Sequence, residues 1–338
     1  MSDGTRLDEV TVVGTPATRS PVPEVSMTTR VGDLHLRNPV MTASGCAAAG
    51  KELGRFFDVA DLGAVVTKSV MLRPRSGRPT PRMAETPSGM LNSIGLQGPG
   101  IDSFVADDLA WLHRRGATSI VSIAGGSVEE YALLAGRLAE VDGIGAVEVN
   151  ISCPNVANRG LVFACDPFAS REVIAAVVEE TRPGVPVLAK LSPDVTDVVA
   201  VAKACADGGA HGLVAINTLL GMAIDTSTMR PVLAGLTGGL SGPAVRPVAV
   251  RIVWQLHAAM RTGVLPRLPI VGVGGVCTGL DALQLVLAGA CAVQVGTATF
   301  NDPDAPVRVL AELGQALDER GVGSFAEVVG AAHEEVPR

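Results

Sequence analysis

The chain has 338 residues, of which 47% are hydrophobic, 18% charged and only 3% aromatic, and its formal net charge is -7 at pH 7. The negative charge and the scarcity of aromatic rings argue against a nucleic-acid partner, which needs cationic side chains for phosphates and rings for bases. No stretch reaches the roughly 18 uninterrupted apolar residues of a membrane-spanning helix, so we expect no membrane partner.

The first residues and the cysteines both favour a cytoplasmic location. Residues 1–26 lack the basic-then-apolar order of a signal peptide, and we interpret them as a disordered N-terminal extension. The six cysteines are Cys46, Cys153, Cys165, Cys205, Cys277 and Cys291. They are scattered and form no C-x-x-C pair, which argues against a zinc site or an iron–sulfur cluster held by this chain alone. We therefore predict no metal site.

Short β-branched apolar segments recur eight times along the chain and alternate with segments of helical spacing. The predicted strands are Pro39–Ser44, Ala64–Val70, Ser119–Gly125, Ala146–Cys153, Pro186–Ser192, Gly212–Thr218, Pro269–Gly275 and Ala292–Thr299. The predicted helices are Lys51–Phe57, Asp102–Arg114, Val128–Leu138, Pro167–Glu180, Val195–Asp207, Ala244–Met260, Leu280–Leu287 and Ala305–Leu317.

A strand followed by a helix, eight times over, predicts a single (β/α)8 TIM barrel. A doubly wound open sheet is the rival fold, but its G-x-G-x-x-G turn after a first strand is missing. We expect the barrel at residues 27–320 and a C-terminal tail at residues 321–338.

The carboxyl ends of the predicted strands, where active sites of this fold lie, are unusually polar. Lys68 and Lys190 stand on predicted strands two and five, and Asn150 and Asn217 on strands four and six. A single Ser, Asn or Gly at a strand end is ordinary, but lysine is almost never buried unpaired. Two lysines and two asparagines at matching positions therefore predict a binding site.

Three glycine-rich segments predict a phosphate site. Gly274–Gly275 and Gly296–Thr297 end strands seven and eight, where barrels commonly hold a phosphate on backbone N–H groups. Gly238–Gly242, which we interpret as a loop, precedes the helix near Ala244. The lysines across the mouth could stabilise an anionic reduced flavin, so flavin mononucleotide (FMN) suits the site. A sugar phosphate would satisfy the glycines but would leave Cys153 unexplained.

Nine sequence blocks, in this order between about Gly32 and Leu317, resemble dihydroorotate dehydrogenase. The blocks are ASG at Ala43–Gly45, TKS at Thr67–Ser69, NSIGL at Asn92–Leu96, EVNISCPN at Glu148–Asn155, AKLSPD at Ala189–Asp194, INTLLGM at Ile216–Met222, GGLSGPA at Gly238–Ala244, GVGGV at Gly272–Val276 and QVGTA at Gln294–Ala298. The resemblance implies an FMN-dependent oxidation of (S)-dihydroorotate to orotate in de novo pyrimidine (UMP) synthesis.

The resemblance also implies residue roles. Cys153 would be the base that removes the C5 proton while hydride passes from C6 to the flavin, a task that suits a thiol whose pKa a polar site can lower. The implied substrate contacts are Lys68, Asn92, Ser93, Ile94, Gly95, Leu96, Asn150, Asn155, Asn217 and Thr218. The implied flavin contacts are Ser44, Lys68, Ser69, Asn150, Lys190, Ile216, Gly242, Gly274, Gly275, Gly296 and Thr297.

The blocks are similar to those of the soluble class 1 enzymes, because the membrane-bound class has serine at the base position and an apolar N-terminal helical piece. NSIGLQGPG and INTLLGM resemble the NAD-linked class 1B catalytic subunit more than the fumarate-using homodimer. That implies a homodimer, or a heterotetramer with a partner subunit that carries FAD and a [2Fe–2S] cluster. The chain departs from the family at Ser122, often asparagine, at Gln97–Gly100, and at Ala47–Gly50, usually an aromatic region.

Two other functions stay open at this point. One is a related flavin barrel acting on another pyrimidine, similar to the reductase domain of dihydropyrimidine dehydrogenase, which also uses a cysteine. Recognition of a carboxylate by Lys68 and the NSIGL segment would distinguish orotate from that substrate. The other is a non-catalytic barrel that binds a phosphorylated ligand, although such a protein has no evident need for a base at Cys153.

Overall fold

The computed structural model describes residues 25–152 and 163–334, whose centre is a ring of parallel strands. The strands are β1 (Thr29–Val31), β2 (Leu34–Leu36), β3 (Val40–Thr42), β4 (Val65–Val66), β5 (Met83–Thr86), β6 (Gly89–Asn92), β7 (Ser119–Ile123), β8 (Ile144–Asn150), β9 (Val187–Leu191), β10 (Gly212–Ala215), β11 (Leu219–Gly221), β12 (Ile224–Asp225), β13 (Arg230–Pro231), β14 (Gly238–Ser241), β15 (Ile270–Val273) and β16 (Ala292–Val295). The helices are α1 (Ile101–Ser103), α2 (Ala110–Arg114), α3 (Val128–Ala139), α4 (Pro167–Glu180), α5 (Val198–Asp207), α6 (Arg246–Arg261), α7 (Gly279–Leu287) and α8 (Ala305–Asp318), with the π-helical segment Phe104–Leu109 between α1 and α2.

The eight ring strands run in the order β3-β16-β15-β10-β9-β8-β7-β4, and every pair in that order is parallel. The ring closes where Met41 pairs with Ala64 and the Gly63 N–H donates to the Val40 carbonyl at 2.8 Å. The predicted single (β/α)8 TIM barrel is confirmed. Its eight carboxyl ends meet at one mouth, as this fold requires.

The strands are shorter than the sequence predicts, and the reason is clearest at β4. Thr67 N–H donates to the Ile120 carbonyl and Val70 N–H to the Ser122 carbonyl, so the segment still follows β7. Between these two bonds Lys68 N–H turns instead to the Ala48 carbonyl at 2.7 Å. The predicted strand Ala64–Val70 is therefore a two-residue strand followed by a bulge.

Two other strands also end early. The predicted strand Ala292–Thr299 stops at Val295 and continues as the short 3₁₀ turn Thr297–Phe300. The predicted strand Gly212–Thr218 stops at Ala215. In each case the remaining residues turn into loops at the mouth, which brings polar groups to the site.

The predicted helix Lys51–Phe57 is wrong, whereas the other predicted helices agree with the structure to within a few residues. The segment contains the 3₁₀ turn Leu53–Arg55, and a second 3₁₀ turn follows it at Val59–Asp61. The Asp58 side chain accepts from Ala60 N–H and begins the second turn. A Cβ on Gly54 would stand 3.0 Å from the ring of Trp111, so the segment packs closely against that ring.

A second sheet, antiparallel and not anticipated from the sequence, covers the mouth. Its strand order is β11-β14-β6-β5. Gly238–Gly242, predicted as a loop, is therefore mostly strand β14, which pairs with both β6 and β11. Glycine is required there because a Cβ on Gly239 would lie 2.0 Å from Thr218 Oγ1.

The apolar core fills the space between the ring and the surrounding helices, with Tyr131, Phe163 and Phe325 among its fully buried side chains. Ser26 N–H donates to the Gly323 carbonyl and Phe325 N–H to the Ser26 carbonyl, so the described ends of the chain pair with each other. None of the helices in residues 25–152 and 163–334 is long and apolar enough to cross a membrane.

Closure of the ring makes Gly63 a sensitive position. A Cβ there would lie 2.1 Å from the Asn38 carbonyl oxygen, whereas a Cβ on Gly98 would meet open space. We expect Gly63→Ala to lower the free energy of unfolding by about 1–3 kcal/mol, because the backbone must move apart. Gly98→Ala is the matched control, with an effect within about 0.5 kcal/mol. Equal urea midpoints for the two variants would contradict this account of the closure.

Candidate active site

One cavity of about 680 Å³ occupies the mouth of the barrel beneath the antiparallel sheet, a size typical of sites for small molecules. The predicted site residues that line it are Ser44, Lys68, Ser69, Asn92, Ser93, Ile94, Gly95, Leu96, Asn150, Lys190, Ile216, Asn217, Thr218, Gly242, Gly274, Gly275, Gly296 and Thr297. The predicted base Cys153 and the predicted substrate contact Asn155 lie outside the described residues. Residues from the ring and from the mouth sheet thus face one cavity.

The two asparagines and Ser69 form a chain of hydrogen bonds at the ends of alternate strands of the ring, β10, β8 and β4. Asn217 Nδ2 donates to Asn150 Oδ1 at 3.0 Å, and Asn150 Nδ2 donates to Ser69 Oγ at 3.1 Å. The Ser69 hydroxyl is 2.9 Å from the hydroxyl of the fully buried Ser122. Ser122 therefore contacts Ser69 on the side away from the cavity and does not line the cavity itself. It stands at the position where the family named above often has asparagine.

The loops after β14, β15 and β16 form a glycine cradle, made of Gly242, Gly274–Gly275 and Gly296–Thr297. A Cβ on Gly275, whose φ is +72°, would lie 2.7 Å from Arg246 Cβ and 2.9 Å from the Gly242 carbonyl oxygen. Thr297 Oγ1 donates to Ser241 Oγ at 2.8 Å and so joins two of the loops. The cradle keeps its backbone exposed toward the cavity, an arrangement that suits an anion such as a phosphate.

The Asp281 carboxylate fixes the cradle from outside the cavity. It accepts from the N–H groups of Cys277 and Thr278 at 3.0 Å each, directly after Gly275, and it is paired with the Arg246 guanidinium. Because Arg246 begins α6 and Asp281 lies in the first turn of α7, the pair ties two helix N-termini together.

Lys190 lies at the floor of the cavity and is almost fully buried. Its ammonium donates to Ser44 Oγ, Glu148 Oε1 and Gln294 Oε1, each at 3.2 Å. Glu148 Oε2 in turn accepts from Gln294 Nε2 at 2.8 Å. The buried cation is thus paired with a buried carboxylate, as charges in protein interiors must be.

Lys68 differs from Lys190, since its ammonium makes no hydrogen bond within the described part of the chain. Burial lowers the pKa of Lys68, Cys46 raises it only when it carries the negative charge of a thiolate, and the positive charge of Arg82 lowers it. Burial raises the pKa of Cys46 itself to about 11, against the influence of Lys190 and Lys68, so this thiol is uncharged at neutral pH. Lys68 therefore presents to the cavity an amine whose charged form an anionic ligand would stabilise.

The mouth sheet supplies the roof of the cavity. Asn92 ends β6 and its Nδ2 donates to the Gly239 carbonyl of β14 at 3.3 Å. Below it, Arg78 Nη1 donates to Ser93 Oγ at 3.0 Å and Arg78 N–H donates to the Ile94 carbonyl at 2.9 Å. The turn that follows places Leu96 at a φ of +57°. Segment 92–96 is thus held in a fixed shape over the site.

Sequence reasoning missed Glu148 and Gln294, which hold Lys190. Both are buried polar residues within otherwise apolar strands, with exposed fractions of 0% and 1%. That pattern was a usable signal, because a glutamate inside a buried strand requires a partner. It also missed Cys46 and Arg78, which line the cavity. In residues 25–152 and 163–334 no group of His, Cys, Asp and Glu side chains could hold a metal ion.

Comparison with known proteins gives the relatives of this chain. The family model described as dihydroorotate dehydrogenase matches residues 26–317. Three curated relatives are named dihydroorotate dehydrogenase B (NAD(+)), catalytic subunit. The protein from Pelobacter propionicus is 50% identical over 305 residues, which cover 90% of this chain and 98% of that protein. The protein from Geobacter sulfurreducens is 49% identical over 309 residues (91% and 98%), and that from Desulforudis audaxviator is 50% identical over 310 residues (92% and 98%).

The unpaired ammonium of Lys68 leads to a prediction for anion binding. Lys68→Met should weaken binding of orotate by about 1.5–3 kcal/mol, the contribution of a hydrogen bond to a charged group, or roughly tenfold to a hundredfold in Kd. If the carboxylate binds the charged form of Lys68, as the resemblance implies, wild-type affinity should fall as pH rises. The fall should begin at a lower pH than for an exposed lysine, because burial lowers the pKa of Lys68.

Isothermal titration with orotate between pH 7 and 10 measures both effects. Lys203→Met is the matched control, since Lys203 lies on α5 and pairs with Asp207 on the surface. Orotate affinity that is equal in Lys68→Met and in the control would contradict the assignment of Lys68 as the anion partner.

Proposed function

The chain belongs to the dihydroorotate dehydrogenase family, and from this membership we propose that it binds FMN and oxidises (S)-dihydroorotate to orotate for pyrimidine synthesis. The observation that carries the proposal is the combination, in one cavity, of a glycine cradle, a paired lysine at the floor and a second lysine that has no hydrogen-bond partner among residues 25–152 and 163–334. These features match a ligand with a phosphate and a redox ring, next to a substrate with a carboxylate.

The residues present fit FMN on structural grounds. The cradle leaves no room for side chains at Gly242 and Gly275, since a Cβ on either would lie within 3 Å of a neighbouring atom, so backbone N–H groups would hold the phosphate there. Lys190, Ser44, Ser69 and Asn150 would then contact the ring. When bound, FMN would supply the acceptor for the hydride that leaves C6 of the substrate.

Asn92, Asn150 and Asn217 would bind the pyrimidine ring, because an amide both donates and accepts and so matches the alternating N–H and C=O edge of a cyclic imide. Thr218 and residues 93–96 would complete the substrate pocket. Lys68 would bind the carboxylate. A pyrimidine without a carboxylate would leave this ammonium unpaired, and this favours dihydroorotate over the substrate of a dihydropyrimidine dehydrogenase.

We assign the role of base to Cys153 on the strength of its position in the sequence. It directly follows Ser152, which lines the cavity and whose buried hydroxyl has no hydrogen-bond partner in the described residues. The Ser152 N–H donates to Asn150 Oδ1 at 3.2 Å, so the chain enters this segment from the asparagine network. Cys153 would remove the C5 proton as a thiolate, and Asn155 would contact the substrate.

The name of the relatives, which specifies NAD(+) and a catalytic subunit, supports a second subunit that passes electrons to NAD⁺. We propose that this partner carries FAD and a [2Fe–2S] cluster, and that the chain forms a homodimer within a cytoplasmic heterotetramer.

The base assignment predicts the behaviour of Cys153→Ser. A serine hydroxyl gives up its proton far less readily than a thiol, so reduction of the bound FMN by dihydroorotate should slow by about 10²–10⁴-fold at neutral pH and recover partly as pH rises. Anaerobic stopped-flow absorbance measures this rate, and the FMN content should stay equal to wild type. Cys165→Ser, at an exposed cysteine, is the control. Wild-type rates in Cys153→Ser would show that another group is the base.

A further inference from the structure

We propose that Glu148 and Gln294 are positioning residues that keep Lys190 charged and aimed into the cavity in both redox states of the bound FMN. The inference rests on the proposed function, because it concerns the cofactor that Lys190 would contact. It explains why Lys190 would keep both its position and its proton while the cofactor is reduced.

The inference rests on side chains that form hydrogen bonds across the interior of the barrel. In the ring order, β16 stands four strands from β8, and β3 stands four strands from β9, so each pair lies on opposite sides. Gln294 of β16 meets Glu148 of β8 at 2.8 Å, and Ser44, after β3, meets Lys190 of β9 at 3.2 Å. These side chains therefore bridge the interior directly below the mouth.

Each proton of the Lys190 ammonium has its own acceptor in this network. The three protons of the Lys190 ammonium go to Ser44, Glu148 and Gln294. Of these acceptors Ser44 alone lines the cavity, whereas Glu148 and Gln294 lie below it. A cofactor atom that enters can therefore replace the Ser44 hydroxyl, while the other two bonds hold the ammonium in place.

The amide of Gln294 orients the carboxylate as well as the lysine. Its Nε2 donates to Glu148 and its Oε1 accepts from Lys190, so the amide closes a ring of hydrogen bonds around the ion pair. A carboxylate and an ammonium that are this deeply buried keep their charges only while paired. Without Glu148, burial disfavours the charged form of the lysine.

The other titratable groups near Lys190 do not replace Glu148. Cys46, which follows β3, is uncharged at neutral pH because burial raises its pKa to about 11. Lys68 carries no negative charge in either protonation state, so it offers no compensating charge to Lys190. Glu148 is therefore the negative charge that faces Lys190 within the described residues.

A proton count follows from this arrangement. In the wild type Lys190 is charged before and after reduction, so it takes up no proton when the cofactor gains two electrons. In Glu148→Gln we expect the buried lysine, now without a counter-charge, to give up its proton beside the oxidised cofactor, and we expect reduction, which would add negative charge to the ring, to draw one proton from solvent onto Lys190. The midpoint potential of the variant should therefore fall more steeply with pH than that of the wild type, by one further proton per two electrons.

The test is to measure the midpoint potential of the bound FMN in the full chain at a series of pH values, with dithionite as reductant and a reference dye. Glu148→Gln should show the steeper slope, and Gln294→Met a smaller change in the same direction. Glu148→Gln/Lys190→Met should return to the slope of Lys190→Met alone, because the group that takes the proton has gone. Glu148→Asp, which keeps the charge, should keep the wild-type slope.

The outcomes separate this inference from the proposed function. A wild-type chain that binds no FMN, or whose FMN dihydroorotate does not reduce, removes the proposed function and the inference with it. If the wild type binds FMN and reacts, equal slopes for wild type and Glu148→Gln overturn the inference alone. If Glu148→Gln does not fold, unchanged slopes in Gln294→Met overturn it. A role in folding alone would lower the unfolding temperature of these variants and leave the slopes unchanged.

Discussion

A lysine ammonium and a glutamate carboxylate share the interior of this barrel, and the site above them depends on that pair. Removing one partner of such a buried pair typically costs about 3–5 kcal/mol, because the remaining charge has no water to solvate it. Lys190 and Glu148 stand on adjacent strands, and Gln294 reaches them from the opposite side of the ring. The strands must therefore pair as they do for Glu148 and Gln294 to reach Lys190. Only then is the charge of the lysine balanced and its side chain held in place at the floor of the cavity.

The same closure divides the cavity into parts with different chemistry. The glycine cradle at the ends of β14, β15 and β16 presents backbone toward the position proposed for the phosphate. Asn150 and Asn217, bonded to each other, line the same cavity as the paired Lys190 and as Lys68, which has no hydrogen-bond partner in the described residues. The mouth sheet closes the top, and its Asn92 is bonded to Gly239 of the neighbouring strand. FMN would place its phosphate on the glycine cradle and its ring next to Lys190. The substrate would stack on that ring, with the asparagines at its pyrimidine edge and Lys68 at its carboxylate.

The alternation of strands and helices was sufficient to predict the barrel, and polar residues at strand ends were sufficient to predict Lys68, Lys190, Asn150 and Asn217 as lining one cavity. The mouth sheet was not predictable in this way, because β14 pairs with β6, which lies far away in the sequence. The GGLS sequence of β14 is also typical of a loop. Only the structure shows that Gly239 is a strand residue that must be glycine, because Thr218 lies where its side chain would be. Glu148 was overlooked because its partners stand on other strands. The helix expected at Lys51–Phe57 is instead the short 3₁₀ turn Leu53–Arg55, which packs Gly54 closely against the ring of Trp111, a contact between residues far apart in the sequence.

We propose that this cavity brings FMN and dihydroorotate together for a two-electron transfer. The absorbance of the bound flavin, followed when (S)-dihydroorotate is added to the purified chain without oxygen, tests this proposal. We predict a yellow protein that is bleached, with one orotate formed for each FMN reduced. A colourless chain that fails to bind added FMN, or a yellow one that dithionite bleaches and dihydroorotate does not, would contradict it.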